Sequence, residues 1–156
     1  MSLGNTIVIS QARAEHMLEG TLTASALYPG TCLEMAPVAL TSGRQVLRAD
    51  SHGTSSGGLV RAPIVAREDE NQGGTVTKQY AASSRVFAYV PSPGEEINVI
   101  VKQQSGTSPS VTVGEIFMVD TSGFLDVYSS GVMAPFMCME AFVGGNANTL
   151  TWCIRT

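Results

Sequence analysis

The sequence predicts an all-β protein: a single small β-barrel or β-sandwich domain, preceded by an N-terminal extended arm or short helix. Two observations carry this expectation. Apolar residues recur at alternate positions or in short runs of five to eight, the signature of half-buried and fully buried strands. Between these runs stand Gly, Pro, Asn and Ser clusters, whose backbone preferences suit tight reversals. Regular spacing of such units indicates a barrel or sandwich.

Taken in order, strands are expected at 21–27 (TLTASAL), 32–40 (CLEMAPVAL), 45–49 (QVLRA), 59–66 (LVRAPIVA) and 85–90 (RVFAYV). Five more follow at 96–102 (EINVIVK), 115–119 (EIFMV), 124–128 (FLDVY), 136–143 (FMCMEAFV) and 149–155 (TLTWCIR). The turns between them read YPGT, TSGR, SHGTSSGG, NQGG, PSPGE, SGTSPS, TSGF and GGNAN. The two-residue period puts Met137, Met139, Ala141 and Val143 on one face and Leu150, Trp152 and Ile154 on another, and both faces are expected in the core. Residues 9–20 carry the best helical pattern, with Ser10 as N-cap, Gly20 as stop and a stripe of Ile9, Ala12, His16 and Met17; the alternative is an extended arm. One helical turn fits 77–85. No internal repeat stands out. The chain therefore divides into an arm, 1–20, and a β-domain, 21–156.

Composition limits the function. The 156 residues are 44% hydrophobic and only 14% charged, with a formal net charge of -4. The nine Lys and Arg are scattered singly, which leaves no basic stripe for a phosphate backbone, so no direct nucleic-acid partner is expected. No apolar run reaches bilayer length and no basic leader precedes the first apolar run, so the expectation is a soluble protein with no membrane partner. Cys32, Cys138 and Cys153 lie far apart in apolar runs and read as buried, reduced thiols. With His16 and His52 in unrelated contexts, neither a zinc site nor a nucleophile-histidine constellation is expected, and no cofactor is implied. A weakly charged surface suits contact with other protein.

The most polar stretch, VAREDENQGG at 65–74, places Glu68, Asp69 and Glu70 side by side. It lacks the alternate spacing, central Gly and distant Glu of a calcium loop. On a strand end, adjacent carboxylates point to opposite faces, so they are expected to be solvated or to accept hydrogen bonds at a subunit boundary.

In this setting the order of short motifs becomes informative. Ala66, Glu68 and Asp69 lead into Gln72 and Gly73. Then come the Tyr-Ala-Ala step of Tyr80, Ala81 and Ala82, and a Pro-x-x-Gly-x-x-x-Asn segment at Pro91, Gly94 and Asn98. Val111 and Gly114, the SGFLDV hairpin, and Glu140 with Ala141 follow. In this order the chain from 21 to 156 resembles the head decoration, or cement, proteins of tailed bacteriophages. It departs from their pattern at Thr77, Lys78 and Gln79, where acidic residues are common, at Ser83 and Ser84, and in the last strand.

The resemblance implies a small β-barrel or β-sandwich, β-tulip-like, that assembles as a homotrimer at local three-fold positions. Its partner would be the phage major capsid protein, on the outer surface of the expanded virion head, which it stabilises against DNA pressure without catalysis. Two contact sites are expected on this basis. Thr6, Ile7, Val8 and Ile9 would add a strand to a capsid loop or a neighbouring subunit, the alternative being a disordered N-terminus or a place in the chain's own barrel. Glu68 and Asp69 would pair with arginines of a neighbour. The rival readings are a tail- or fibre-associated β-domain of a virion, a carbohydrate-binding module, and last a small hydrolase, which would require His16 or His52 to meet a carboxylate and a Ser in a pocket.

Overall fold

A computed structural model describes residue 7 and residues 14–23, 25–49, 63–69, 75–102, 110–127, 135–143 and 149–156. Their regular structure is almost entirely strand. After a 3-10 turn at Ala14–His16 come β1 (Met17–Leu22), β2 (Cys32–Met35), β3 (Gln45–Ala49), β4 (Ile64–Ala66), β5 (Arg85–Tyr89) and β6 (Glu96–Val101). There follow β7 (Ser110–Val111), β8 (Ile116–Val119), β9 (Leu125–Val127), β10 (Phe136–Cys138), β11 (Phe142–Val143) and β12 (Thr149–Arg155). The all-β class is therefore the observed one.

Two closed five-stranded barrels form, in the orders β1-β3-β2-β4-β5 and β10-β12-β6-β9-β8, while β7 and β11 pair separately. Written from its first strand, the second barrel runs β6-β9-β8-β10-β12, which is the path of the first. In each, the first and third strands, β1 with β3 and β6 with β9, form the parallel pair. The registers coincide as well. Leu47 faces both Leu22 and Met35, as Leu125 faces both Val101 and Val119. Leu33 pairs with Ile64 as Phe117 pairs with Phe136, and Ala66 pairs with Ala88 as Cys138 pairs with Cys153.

The chain is thus a tandem repeat of one five-stranded unit, which corrects the expectation that it contains no internal repeat. The sequence marks of the repeat are few: TSG at 41–43 and 121–123, and Ala-Pro at 62–63 and 134–135. Register depends on the alternation of inward and outward residues, which many apolar side chains satisfy, so the pairing persists where identity does not.

The first barrel is filled by Leu22, Leu33, Leu47, Ile64, Ala66, Val86 and Ala88. The core of the second, including Ile97, Val99, Phe117, Leu125, Phe136 and Cys153, is continuous with Cys32, Val65 and Tyr89 on the outside of the first. Backbone bonds stitch the same seam: Cys32 N–H donates to Gly123 O at 2.7 Å and Ile100 N–H to Gly30 O at 2.9 Å. Gly30 occupies a turn with φ +89, and a Cβ there would lie 2.5 Å from Leu150 Cδ2. The positive φ requires glycine at this position, and an added Cβ would also displace the Leu150 side chain.

Three further expectations need correction. The expected core faces of the last strands are inverted: Phe136, Cys138, Thr151 and Cys153 are fully buried, whereas Met137, Leu150, Trp152 and Ile154 are only partly covered. A five-stranded barrel has a narrow interior, so small Thr and Cys side chains fit inside on β12 and the bulkier Trp lies outside. The run 136–143 is also not one strand, since β10 ends at Cys138 and β11 pairs with β7. At the other end, strand begins at Met17, so residues 17–20 are β-structure and not the last turn of a helix. The division at residue 20 falls inside β1.

The inward assignment makes a direct prediction. Phe136→Ala should destabilise by about 3–5 kcal/mol, and Met137→Ala by distinctly less. Urea unfolding of the two variants measures this, and the reverse order would refute the inverted face.

Candidate functional site

The acidic run begins where β4 ends. Arg67 N–H continues the ladder to Phe87 O at 2.9 Å, and the next side chain turns inward. Glu68 is 4% exposed, and its carboxylate accepts the Ile7 N–H at 3.2 and 3.3 Å. Ile7 is itself fully buried, and its carbonyl accepts the Asn98 N–H at 2.7 Å. Glu68 is thus not a solvated carboxylate: it ties the N-terminal segment to the chain's own inter-barrel seam. Asp69 follows on the more exposed side, with its Oδ1 buried and lacking a hydrogen-bond partner among the described residues. Thr6, Val8, Ile9, Gln72 and Gly73 lie outside the described residues.

The remaining motif residues fall at junctions of the same frame. The Tyr80 hydroxyl donates to Arg67 O at 2.6 Å and accepts from Phe87 N–H at 3.4 Å, bracing the strand end that carries Glu68. Burial pushes its phenol up to about 12, against the opposing pull of the Phe87 N–H. Ala81 and Ala82 form an exposed turn closed by Ser84 N–H to Ala81 O at 3.2 Å. Ala66 is fully buried and its carbonyl accepts the Gly30 N–H. Gly94 and Gly114 each hold φ +88 in equivalent turns, Ser92 to Glu95 and Thr112 to Glu115. In each turn the Glu carboxylate reaches back to the N–H of the turn's first residue. Pro91 is buried ahead of the first of these turns.

Glu95 makes a second inward-facing carboxylate site that the sequence reading did not single out. Its Oε2 accepts from Ser92 N–H at 2.8 Å and the Tyr89 hydroxyl at 3.1 Å, and lies 3.4 Å from His16 Nδ1. Burial alone would raise this carboxyl, but the Ser92, Tyr89 and His16 contacts together hold it below the ordinary value. His16 thus meets a carboxylate, but Ser92 enters through its backbone and Tyr89 supplies the hydroxyl. The arrangement latches the start of β1 onto the β5–β6 turn, helped by Val90 N–H to His16 O at 2.9 Å. The SxxE spacing at Ser92 and Glu95 was the available signal. His52 lies outside the described residues, and no group of three His, Cys, Asp or Glu able to hold a metal is found among the described residues.

The repeat exposes one more feature by contrast. In the second barrel the β8–β9 connection takes residues 120–124, whereas the equivalent β2–β3 connection takes residues 36–44. Thr41 and Arg44 exchange backbone bonds at 2.9 Å across Ser42 and Gly43, both at positive φ, in the two-residue turn that suits strand twist. Below that tip stand Met35, Val38 and Leu40, exposed by 44%, 57% and 61%. Residues 35–43 carry no charge. The shorter loop of the second barrel shows that the fold does not require this apolar tongue.

No known protein-family model matches the chain, and no curated protein is significantly similar to it.

The inward carboxylates generate two predictions. Glu68→Ala should lower stability by about 1–3 kcal/mol by leaving the Ile7 N–H buried without its acceptor, whereas an effect within about 0.5 kcal/mol would mean the contact is idle. For Glu95, a folded-state value below the ordinary 4.5 means stability that is present above that pH and lost as pH falls through the folded value. Wild type should therefore exceed Glu95→Gln in thermal midpoint at neutral pH, and the gap should narrow on acidification below about 4.5. A gap constant with pH would contradict the latch.

Proposed function

We propose that the protein is a structural component of a tailed-phage virion: a decoration, or cement, protein that binds the outer surface of the expanded head as a homotrimer. The major capsid protein is its partner in this reading, and no catalytic step is involved. The ordered motif resemblance supports it; the motif residues themselves serve the chain's own seam and turns, so the contact with a partner belongs elsewhere on the surface.

The observation that carries the reading furthest is the uncharged tongue at Met35 to Gly43. An apolar hairpin standing out from a small soluble domain calls for a protein partner. Burial of side chains such as Val38 and Leu40 is worth about 1.5–3 kcal/mol each, which supplies affinity without a ligand pocket. Multiplied over the copies on a shell, such contacts give a cementing effect. Ile7 is in the chain's own core, so the strand-addition role proposed for Thr6 to Ile9 would have to operate through its flanks. Deleting residues 1–10 is expected to loosen the seam as well as any capsid contact.

Co-sedimentation with expanded heads that lack the protein, and with unexpanded procapsids, tests the reading. Saturable binding at a fixed ratio to the coat subunit on expanded shells is expected. Val38→Asp with Leu40→Asp should weaken it at least about ten-fold while leaving the thermal midpoint unchanged. Binding to neither shell would overturn the decoration reading in favour of a tail- or fibre-associated domain.

A further inference from the structure

The tandem repeat supplies an internal reference for every pair of facing residues, and one pair stands out against it. In the first barrel the inward pair on the fourth and fifth strands is Ala66 and Ala88; in the second it is Cys138 and Cys153. Both alanines and both cysteines are fully buried. Alanine therefore suffices to fill this position of the unit, and the second copy carries a thiol on each side of it.

The backbone fixes how the two residues face; the Cys138 thiol itself donates to Glu140 O at 2.7 Å, a bond that closure of a disulfide would exchange for the S–S bond. Cys138 N–H donates to Glu115 O at 2.7 Å and Cys138 O accepts from Gly114 N–H at 2.8 Å, so both of its polar groups point to the β8 side. On the β12 side the ladder bonds fall at the neighbouring pairs, Met139 N–H to Trp152 O at 2.9 Å and Thr156 N–H to Pro135 O at 3.0 Å. Cys138 and Cys153 are thus a non-hydrogen-bonded antiparallel pair, whose Cα atoms lie about 4.5 Å apart and whose side chains are the closer of the two kinds. That separation falls within the range a disulfide spans, about 4.4–6.8 Å between Cα atoms.

We propose that Cys138 and Cys153 form a dithiol-disulfide site, closing in an oxidising medium into a cross-strand bond that pins β12 to β10. The inference is independent of the capsid reading. Both thiols are fully buried, so exchange takes place when the β10–β12 edge opens: with glutathione disulfide as oxidant, the thiolate of one cysteine attacks one sulfur and releases one glutathione. The other cysteine's sulfur then displaces the second, so the protein loses two protons and two electrons while one glutathione disulfide becomes two glutathione thiols. Burial raises both thiols, so in the closed fold both are held protonated and unreactive. Cys32 lies in the same core cluster, on β2 of the first barrel, and is the competing partner.

The test equilibrates the whole protein in glutathione buffers of rising oxidised-to-reduced ratio, traps thiols by alkylation, and maps linked peptides by mass. The expected product has lost two hydrogens, links Cys138 to Cys153 and leaves Cys32 alkylated, and Cys32→Ser gives the same bond. Its urea unfolding midpoint should lie above that of the reduced protein. The double variant Cys138→Ala, Cys153→Ala reproduces the Ala66 and Ala88 pair, so it should fold, and it should show no mass loss. Alkylation of all three thiols at the most oxidising ratio, persistent glutathione adducts, or a bond through Cys32 would each overturn the assignment.

Discussion

The structure depends on satisfying the second edge of β6. This strand is buried along nearly its whole length, so each of its backbone N–H groups needs an acceptor. One edge is ladder-paired with β12. On the other edge, three separate parts of the chain supply the acceptors: Asn98 N–H reaches Ile7 O, Ile100 N–H reaches Gly30 O, and Lys102 N–H reaches Leu125 O. A terminal segment, a turn of the first barrel and a strand of the second thereby converge on one line. The positive-φ turn at Gly30, the buried Glu68 and the parallel pairing of β9 all follow from that convergence.

Repetition explains the architecture, and the departures from it locate what is particular to each copy. Leu33 and Phe117, Ile64 and Phe136, and Leu47 and Leu125 occupy matching inward positions. Against this common frame, the first copy adds the tongue at residues 36–44 and the second exchanges two alanines for cysteines. Neither change is needed to close a barrel, because the other copy closes without it.

The charges follow a consistent pattern. Glu68 and Glu95 face inward and hold the N-terminal segment; buried Glu34 meets Arg48 Nε at 2.6 Å, and buried Asp120 meets Lys102 Nζ at 3.1 Å. Asp120 also accepts from Ser122 and Phe124 N–H groups, so a single carboxylate shapes the short hairpin and anchors β6. Carboxylates employed in this way hold turns and strand ends in place. Among the described residues these carboxylates serve the chain's own structure, whereas Val38 and Leu40 stand exposed.

The sequence by itself determined the strands, because alternation and turn chemistry are local: β3, β5, β6, β8 and β12 lie where the apolar runs and glycine turns place them. It also marked Glu68, Tyr80, Asn98 and Gly94 as special through their order in the chain, without saying what they touch. Tertiary structure decided the rest. Which face of β12 is inward depends on the width of a five-stranded barrel, so Trp152 reads as core in one dimension and lies outside in three. The repeat was hidden because matching registers tolerate different apolar residues, leaving only TSG and Ala-Pro as traces. Glu68 could not be assigned from its neighbours in sequence, since the N–H it accepts belongs to Ile7, sixty-one residues away. The pairing of Cys138 with Cys153 likewise exists only once β10 and β12 are laid side by side.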